Sequence, residues 1–201
     1  MSDHHASPSR VAVLISGAGS NMAALIDAGG QPDAPFEVVL VLSNKAEAGG
    51  LAVAEAKGVA TAVIPHEAFG KDRAAHEQAV QAVLEAHGVE VVALAGYMRL
   101  LTPFLVGRWA GRMLNIHPSL LPKYRGLDTH VRAIAAGDAE AGCSVHLVTE
   151  GVDDGPVLGQ TAVPVLPDDT PASLAQRVLD SEHRLYPRVL AEFCRTQIRS
   201  S

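Results

Sequence analysis

Cysteine is scarce. Cys143 and Cys194 are the 2 present in 201 residues, too far apart to suggest a disulfide framework or a Cys-based zinc site, and they suit a reducing cytoplasm. No apolar run approaches the ~20 residues that a membrane-spanning helix requires, so no membrane role is expected. A signal peptide is missing as well. Residues 1–10 are polar and carry His4-His5, which reads as a frayed tail over residues 1–9 ahead of one domain over 10–201. Runs of Lys or Arg and basic-aromatic interleaving are absent and the formal net charge is -6, which argues against a nucleic-acid partner but leaves room for local groups that hold a phosphate. His66-Glu67 and His76-Glu77 each begin like a zinc-binding helix without its second histidine, and His87, His130, His146 and His183 have no short ligand spacing. No metal is therefore expected, and these histidines read as structural or supporting groups.

What the chain does have is an alternation of apolar strands and helical stripes, without internal repeats. Val11 to Ile15, Glu37 to Leu42, Ala60 to Ile64 and Val91 to Ala95 read as strands. Between them lie helices after Ser20, over Ala48 to Lys57 closed by Gly58, and over Asp72 to His87 ended by Gly88. Strands with no polar face belong to parallel sheets covered on both sides, so the fold class is α/β, a single-domain, doubly wound, mostly parallel sheet. Arg112 to Ile116, Ala141 to Thr149 and Val157 to Val165 extend it. A last helix starts at Thr170-Pro171 as cap and first-turn proline. Ligands of such folds sit beyond the carboxyl ends of the strands, so the tips at 16–21, 96–101 and 115–126 should share a rim.

Four features on or near that rim carry candidate chemistry. Ser16-Gly17-Ala18-Gly19-Ser20-Asn21 joins a strand to a helix, and its backbone N–H groups make a seat for phosphate, or else simply a tight turn. Met22 stands where a dinucleotide fingerprint has its third glycine, and no acid ends the next strand, which disfavours NAD; the Walker-type Gly-Lys-Ser/Thr is missing too. Asn115 and His117 sit at the mouth of a strand that Pro118 and Pro122 stop. Their spacing puts both side chains on one side, where amide and imidazole can polarise one carbonyl oxygen, or else cap a loop. Glu150-Gly151-Val152-Asp153-Asp154-Gly155-Pro156 supplies either a carboxylate for His117 or solvated turn acids. Glu182 falls on the apolar stripe of Leu174, Val178, Leu185 and Val189, where an acid needs a partner, by salt bridge or by ligand.

Together, Ser16-Gly17-x-Gly19-Ser20-Asn21, Leu94-Ala95-Gly96-Tyr97-Met98-Arg99, Asn115-Ile116-His117-Pro118-Ser119-Leu120-Leu121-Pro122, Ser144-Val145-His146 and Asp153-x-Gly155-Pro156 resemble the phosphoribosylglycinamide formyltransferases, from about Val11 to Phe193. The resemblance implies a Rossmann-like formyltransferase fold and transfer of the formyl group of 10-formyltetrahydrofolate, a co-substrate, to glycinamide ribonucleotide. It implies Asn115, His117 and Asp153 as catalytic. The ribonucleotide would lie on Gly19, Ser20, Asn21 and Glu182, and the folate beside Arg73, Met98, Arg99, Leu101, Asn115, Thr149 and Asp153. Asp154 departs from the family, where a small residue is usual, and counting back from Gly155-Pro156 selects Asp153 as the acid. Formyl-folate hydrolases and methionyl-tRNA formyltransferases share the Asn-x-His-Pro element but would be expected to carry a further domain. A nucleotide-binding module without catalysis is the alternative of another class.

Overall fold

Continuous apolar strands that alternate with amphipathic helices build one sheet covered on both faces. The computed structural model describes residues 7–198. The strands are β1 (Ser9–Ile15), β2 (Phe36–Ser43), β3 (Thr61–Val63), β4 (Val91–Leu94), β5 (Met113–His117), β6 (Glu140–Leu147) and β7 (Val157–Pro164). The helices are α1 (Ser20–Gly29), α2 (Gly49–Ala56), α3 (Arg73–Ala86), α4 (Pro103–Arg108), α5 (Thr129–Ala135) and α6 (Pro171–Ile198). Residues 1–6 of the expected tail lie outside the described residues. Ser9, expected in that tail, is buried in β1, and its N–H donates to the Pro35 carbonyl at 2.9 Å.

The strand order is β3-β2-β1-β4-β5-β6-β7. Pairing is parallel from β3 to β5 and antiparallel for β5-β6 and β6-β7, as a doubly wound, mostly parallel sheet predicts. The order reverses at β1: α1, which follows β1, packs on one face of the sheet and α4, which follows β4, on the other, and a ligand crevice of such folds lies at the carboxyl ends of the strands at that point. Alternate residues of β1 serve two cores. Val11, Val13 and Ile15 pack toward Met22, Leu25, Tyr186 and Leu190, whereas Ala12 and Leu14 pack toward Val80, Leu84, Leu105 and Trp109. That division follows from side chains pointing to opposite faces of a strand.

α4 and α5 were not legible in the sequence. They have 6 and 7 residues, too few for a helical stripe to repeat. α6, in contrast, begins as its cap and Pro171 predict: the Ser173 N–H donates to Thr170 Oγ1 at 3.2 Å. Its Tyr186 is fully buried, with its hydroxyl 3.1 Å from both the Leu94 and Leu114 carbonyls, which ties α6 to β4 and β5. None of the helices among the described residues is long and apolar enough to cross a membrane.

Candidate active site

The glycine turn after β1 is packed too tightly for a side chain at Gly19. Gly19, φ 72°, occupies the N-cap of α1, and a Cβ there would meet Met22 Cε and Gly50 Cα. Gly50 closes the approach from the other side, its N–H donating to the Gly17 carbonyl at 3.0 Å. No side chain caps α1, so its first-turn N–H groups remain donors for an anion. Ser16 ties this turn to its neighbours. Its N–H donates to the Gly96 carbonyl at 3.1 Å, and its hydroxyl accepts from the Met98 N–H at 2.8 Å while donating to Asn44 Oδ1 at 2.5 Å. Ser16 thus joins two of the predicted tips, 16–21 and 96–101, and the pairing of Leu94 with Asn115 sets the third beside them.

Asn21 and Glu182 are 161 positions apart in sequence and meet in the interior, Asn21 Nδ2 donating to Glu182 Oε2 at 2.6 Å. Burial pushes the Glu182 carboxyl up to about 7, against the opposing Asn21 hydrogen bond. Asn21 Oδ1 is buried without a hydrogen-bond partner. The partner required by an acid on the α6 stripe is therefore an amide rather than a cation. The pair stands at the foot of the glycine turn, since Asn21 belongs to both.

Asn115, His117 and Asp153 come together as the family pattern implies. Asp153, φ 49°, lies in the β6–β7 connection, its side chain 12% exposed. Its Oδ2 accepts from the Gly126 N–H at 3.0 Å and lies 3.3 Å from His117 Nδ1. Oδ1 faces Asn115 Nδ2 at 3.4 Å and His146 Nε2 at 3.5 Å. Burial works against the Asp153 charge, but hydrogen bonds from His146 and Gly126 and the field of His117 outweigh it and hold the carboxyl below the ordinary aspartate value. His117 Nε2 donates to the Tyr124 carbonyl at 2.9 Å, so both ring nitrogens face acceptors. Asp154 points elsewhere, its Oδ1 2.5 Å from Arg125 Nη2, so Asp153 is the carboxylate facing His117.

His146, expected to be a structural or supporting group, stands beside this cluster, its Nε2 3.2 Å from Asn115 Nδ2. The reason is register: β6 runs antiparallel to β5 and sets His146 opposite Asn115. Two residues earlier on β6, Ser144 pins the turn after His117. Its hydroxyl donates to the Ser119 carbonyl at 2.6 Å and accepts from the Leu121 N–H at 3.0 Å.

The positions implied for folate are less tightly joined. Met98 is 65% exposed, Arg99 and Leu101 are half-buried, and Thr149 is exposed at the end of β6. Arg73 opens α3 with an exposed side chain that makes no hydrogen bond or ion pair among the described residues. One turn on, buried Glu77 accepts from the Thr102 N–H at 2.7 Å and from its hydroxyl, which anchors α3 to the end of the 97–102 loop. Among the described residues, no three His, Cys, Asp or Glu side chains gather as a metal site.

The family model described as formyl transferase matches residues 9–190. A phosphoribosylglycinamide formyltransferase of Escherichia coli is 46% identical over 183 residues, which cover 91% of this chain and 86% of that one. The trifunctional purine biosynthetic protein adenosine-3 of Bos taurus is 48% identical over 181 residues; the match covers 90% of this chain but only 18% of that protein, so the chain spans under a fifth of such relatives. Among solved structures, the phosphoribosylglycinamide formyltransferase of Brucella melitensis superposes with a TM-score of 0.90 at 54% identity, over 94% of this chain and 96% of that one.

Proposed function

The chain belongs to the formyl transferase family, and on that premise we propose that it transfers the formyl group of 10-formyltetrahydrofolate to the amine of glycinamide ribonucleotide, a step of de novo purine (IMP) synthesis. The observation that carries this reading is the convergence of Asn115, His117 and Asp153 on the rim that also holds an uncapped helix start. A phosphate seat and a polarising cluster on one rim suit a phosphorylated amine attacking a carbonyl. The co-substrates are small molecules, and neither nucleic acid nor membrane is part of the reading. Free, buried Cys143 and Cys194 support a cytoplasmic location.

In this reading the ribonucleotide phosphate lies against the N–H groups of Gly19, Ser20 and Asn21, and ionised Glu182 accepts from the sugar hydroxyls. Folate fills the slot bounded by Arg73, Met98, Arg99, Leu101 and Thr149. The amine attacks the formyl carbon and the carbonyl oxygen becomes an oxyanion, which needs donors already in place; as the carbonyl re-forms, the bond from that carbon to the folate nitrogen breaks and tetrahydrofolate leaves, its nitrogen taking up the proton that Asp153 relays from the amine. Asn115 Nδ2 is the first such donor, because its contacts at 3.2 and 3.4 Å are long enough to yield to a substrate oxygen. His117 is the second, and its Nε2 exchanges the Tyr124 carbonyl for the oxyanion as charge develops. Asp153 keeps the ring oriented, and receives the proton that the amine loses through a water molecule. An aspartate held below its ordinary pKa is a weak base. Its larger share is therefore the orientation of His117.

The test is formyl transfer itself. Purified protein is mixed with 10-formyltetrahydrofolate, with and without glycinamide ribonucleotide, and tetrahydrofolate release is followed by absorbance. Release that requires the ribonucleotide is expected. Release without it makes the protein a hydrolase, and no release in either case rejects the catalytic reading.

A further inference from the structure

His117 is gripped at both ring nitrogens by residues in a backbone conformation that side chains rarely adopt. Nε2 donates to the carbonyl of Tyr124, φ 55°, and Nδ1 lies beside the carboxylate of Asp153, φ 49°. Left-handed backbone is disfavoured at any residue with a Cβ, and for a bulky tyrosine it persists only where the surroundings hold it. Each of these residues is followed directly by one partner of an ion pair, Arg125 after Tyr124 and Asp154 after Asp153, with Arg125 Nη2 2.5 Å from Asp154 Oδ1. The pair therefore bridges the two connections that set the position of His117.

The two connections are unequally supported. Arg132 of α5 braces the Tyr124 side, donating to the Arg125 carbonyl at 2.7 Å and lying over the Tyr124 ring at 5.0 Å. The Tyr124 hydroxyl also donates to Asp138 Oδ2 at 2.8 Å. On the other side residues 149–152 and 154 are all exposed. What ties that segment across is the Gly126 N–H on Asp153 Oδ2 and the Arg125–Asp154 pair. Without Arg125, Asp154 would be an unpaired charge next in sequence to Asp153, and repulsion between like charges favours an open loop. We propose that the Arg125–Asp154 ion pair is an electrostatic latch that closes the Asp153 loop on the Tyr124 loop and so fixes His117 for transfer, with Arg125 as a positioning residue. The inference rests on the formyl-transfer reading for its kinetic consequence, but not for the latch itself.

The experiment compares wild type, R125A, D154A and the charge swap R125D/D154R in two measurements, each at low and at high salt. In steady-state kinetics each single variant is expected to lose roughly two- to fivefold in kcat, the range of a partly exposed pair. KM for the ribonucleotide should stay unchanged and the swap should recover most of the loss, an outcome that a merely structural role for either side chain does not produce. High salt should shrink the difference between wild type and the singles. In amide hydrogen exchange the 152–155 segment should exchange faster in both singles than in wild type and the swap. Singles that exchange and turn over like wild type would overturn the latch, as would a swap no better than the singles. A wild type without ribonucleotide-dependent turnover rejects the proposed function instead, and the exchange comparison still decides the latch.

Discussion

Glu182→Gln should stabilise the protein while it weakens catalysis, and the pH at which it stabilises tests the reasoning. Burial lifts the Glu182 carboxyl from its ordinary 4.5 to about 7, and the residue is 6% exposed, so solvent screens little of the effect. As pH rises through 4.5 the unfolded chain ionises this group first, while the folded chain still holds the proton. Stability therefore falls between pH 4.5 and about 7 and then levels off, once the folded carboxyl has ionised too. At ~1.36 kcal/mol for each pKa unit the full loss comes to ~3 kcal/mol. Glutamine keeps an acceptor for Asn21 Nδ2 and does not titrate. Urea unfolding of both proteins, followed by the buried single Trp109, should give equal stabilities near pH 4 and a variant ahead by ~3 kcal/mol at pH 8. A difference that does not change with pH would refute the assignment of a buried, destabilising charge to Glu182. With the charged acceptor gone, KM for the ribonucleotide should rise by roughly tenfold or more, since hydrogen bonds to charged groups contribute about 1.5–3 kcal/mol.

Three further outcomes follow from particular contacts. Asn115→Ala should lower kcat by ~10²–10³, the usual cost of one oxyanion donor, and near-normal turnover would remove Asn115 from the mechanism. Gly155→Ala would drive a Cβ into the Leu147 carbonyl and shift the loop that carries Asp153; kcat should fall by roughly 10²-fold, as for a catalytic group misplaced by about 1 Å, and an unchanged rate would show that the loop accommodates it. Tyr186→Phe leaves the Leu94 and Leu114 carbonyls without their shared donor in the core. Calorimetry should record a loss of about 1–2 kcal/mol, or roughly 2–8 °C in Tm, and an unaltered Tm would mean that relaxation has replaced the bond.

Much of this protein is decided by signals that repeat along the chain. Apolar strands of five or more residues, the stripes of α3 and α6, the glycine turn before α1 and the proline stops after His117 each have a local cause, so the doubly wound sheet and the rim of strand tips follow from sequence alone. Asn115 and His117 are neighbours because a strand fixes their spacing, and Glu182 is conspicuous because it interrupts an apolar stripe. Tertiary structure decided what those residues meet. Asn21 reaches Glu182 only through the packing of α1 on α6, and His146 stands against Asn115 only because β6 pairs antiparallel to β5 in one register. The family pattern already selected Asp153 as the acid, but that it faces His117 while Asp154 does not depends on one left-handed backbone angle and on Arg125 drawing Asp154 away. Periodicity reports which face of an element is buried and says nothing about what another element brings to that face. Register, loop backbone and desolvation exist only once distant segments have packed.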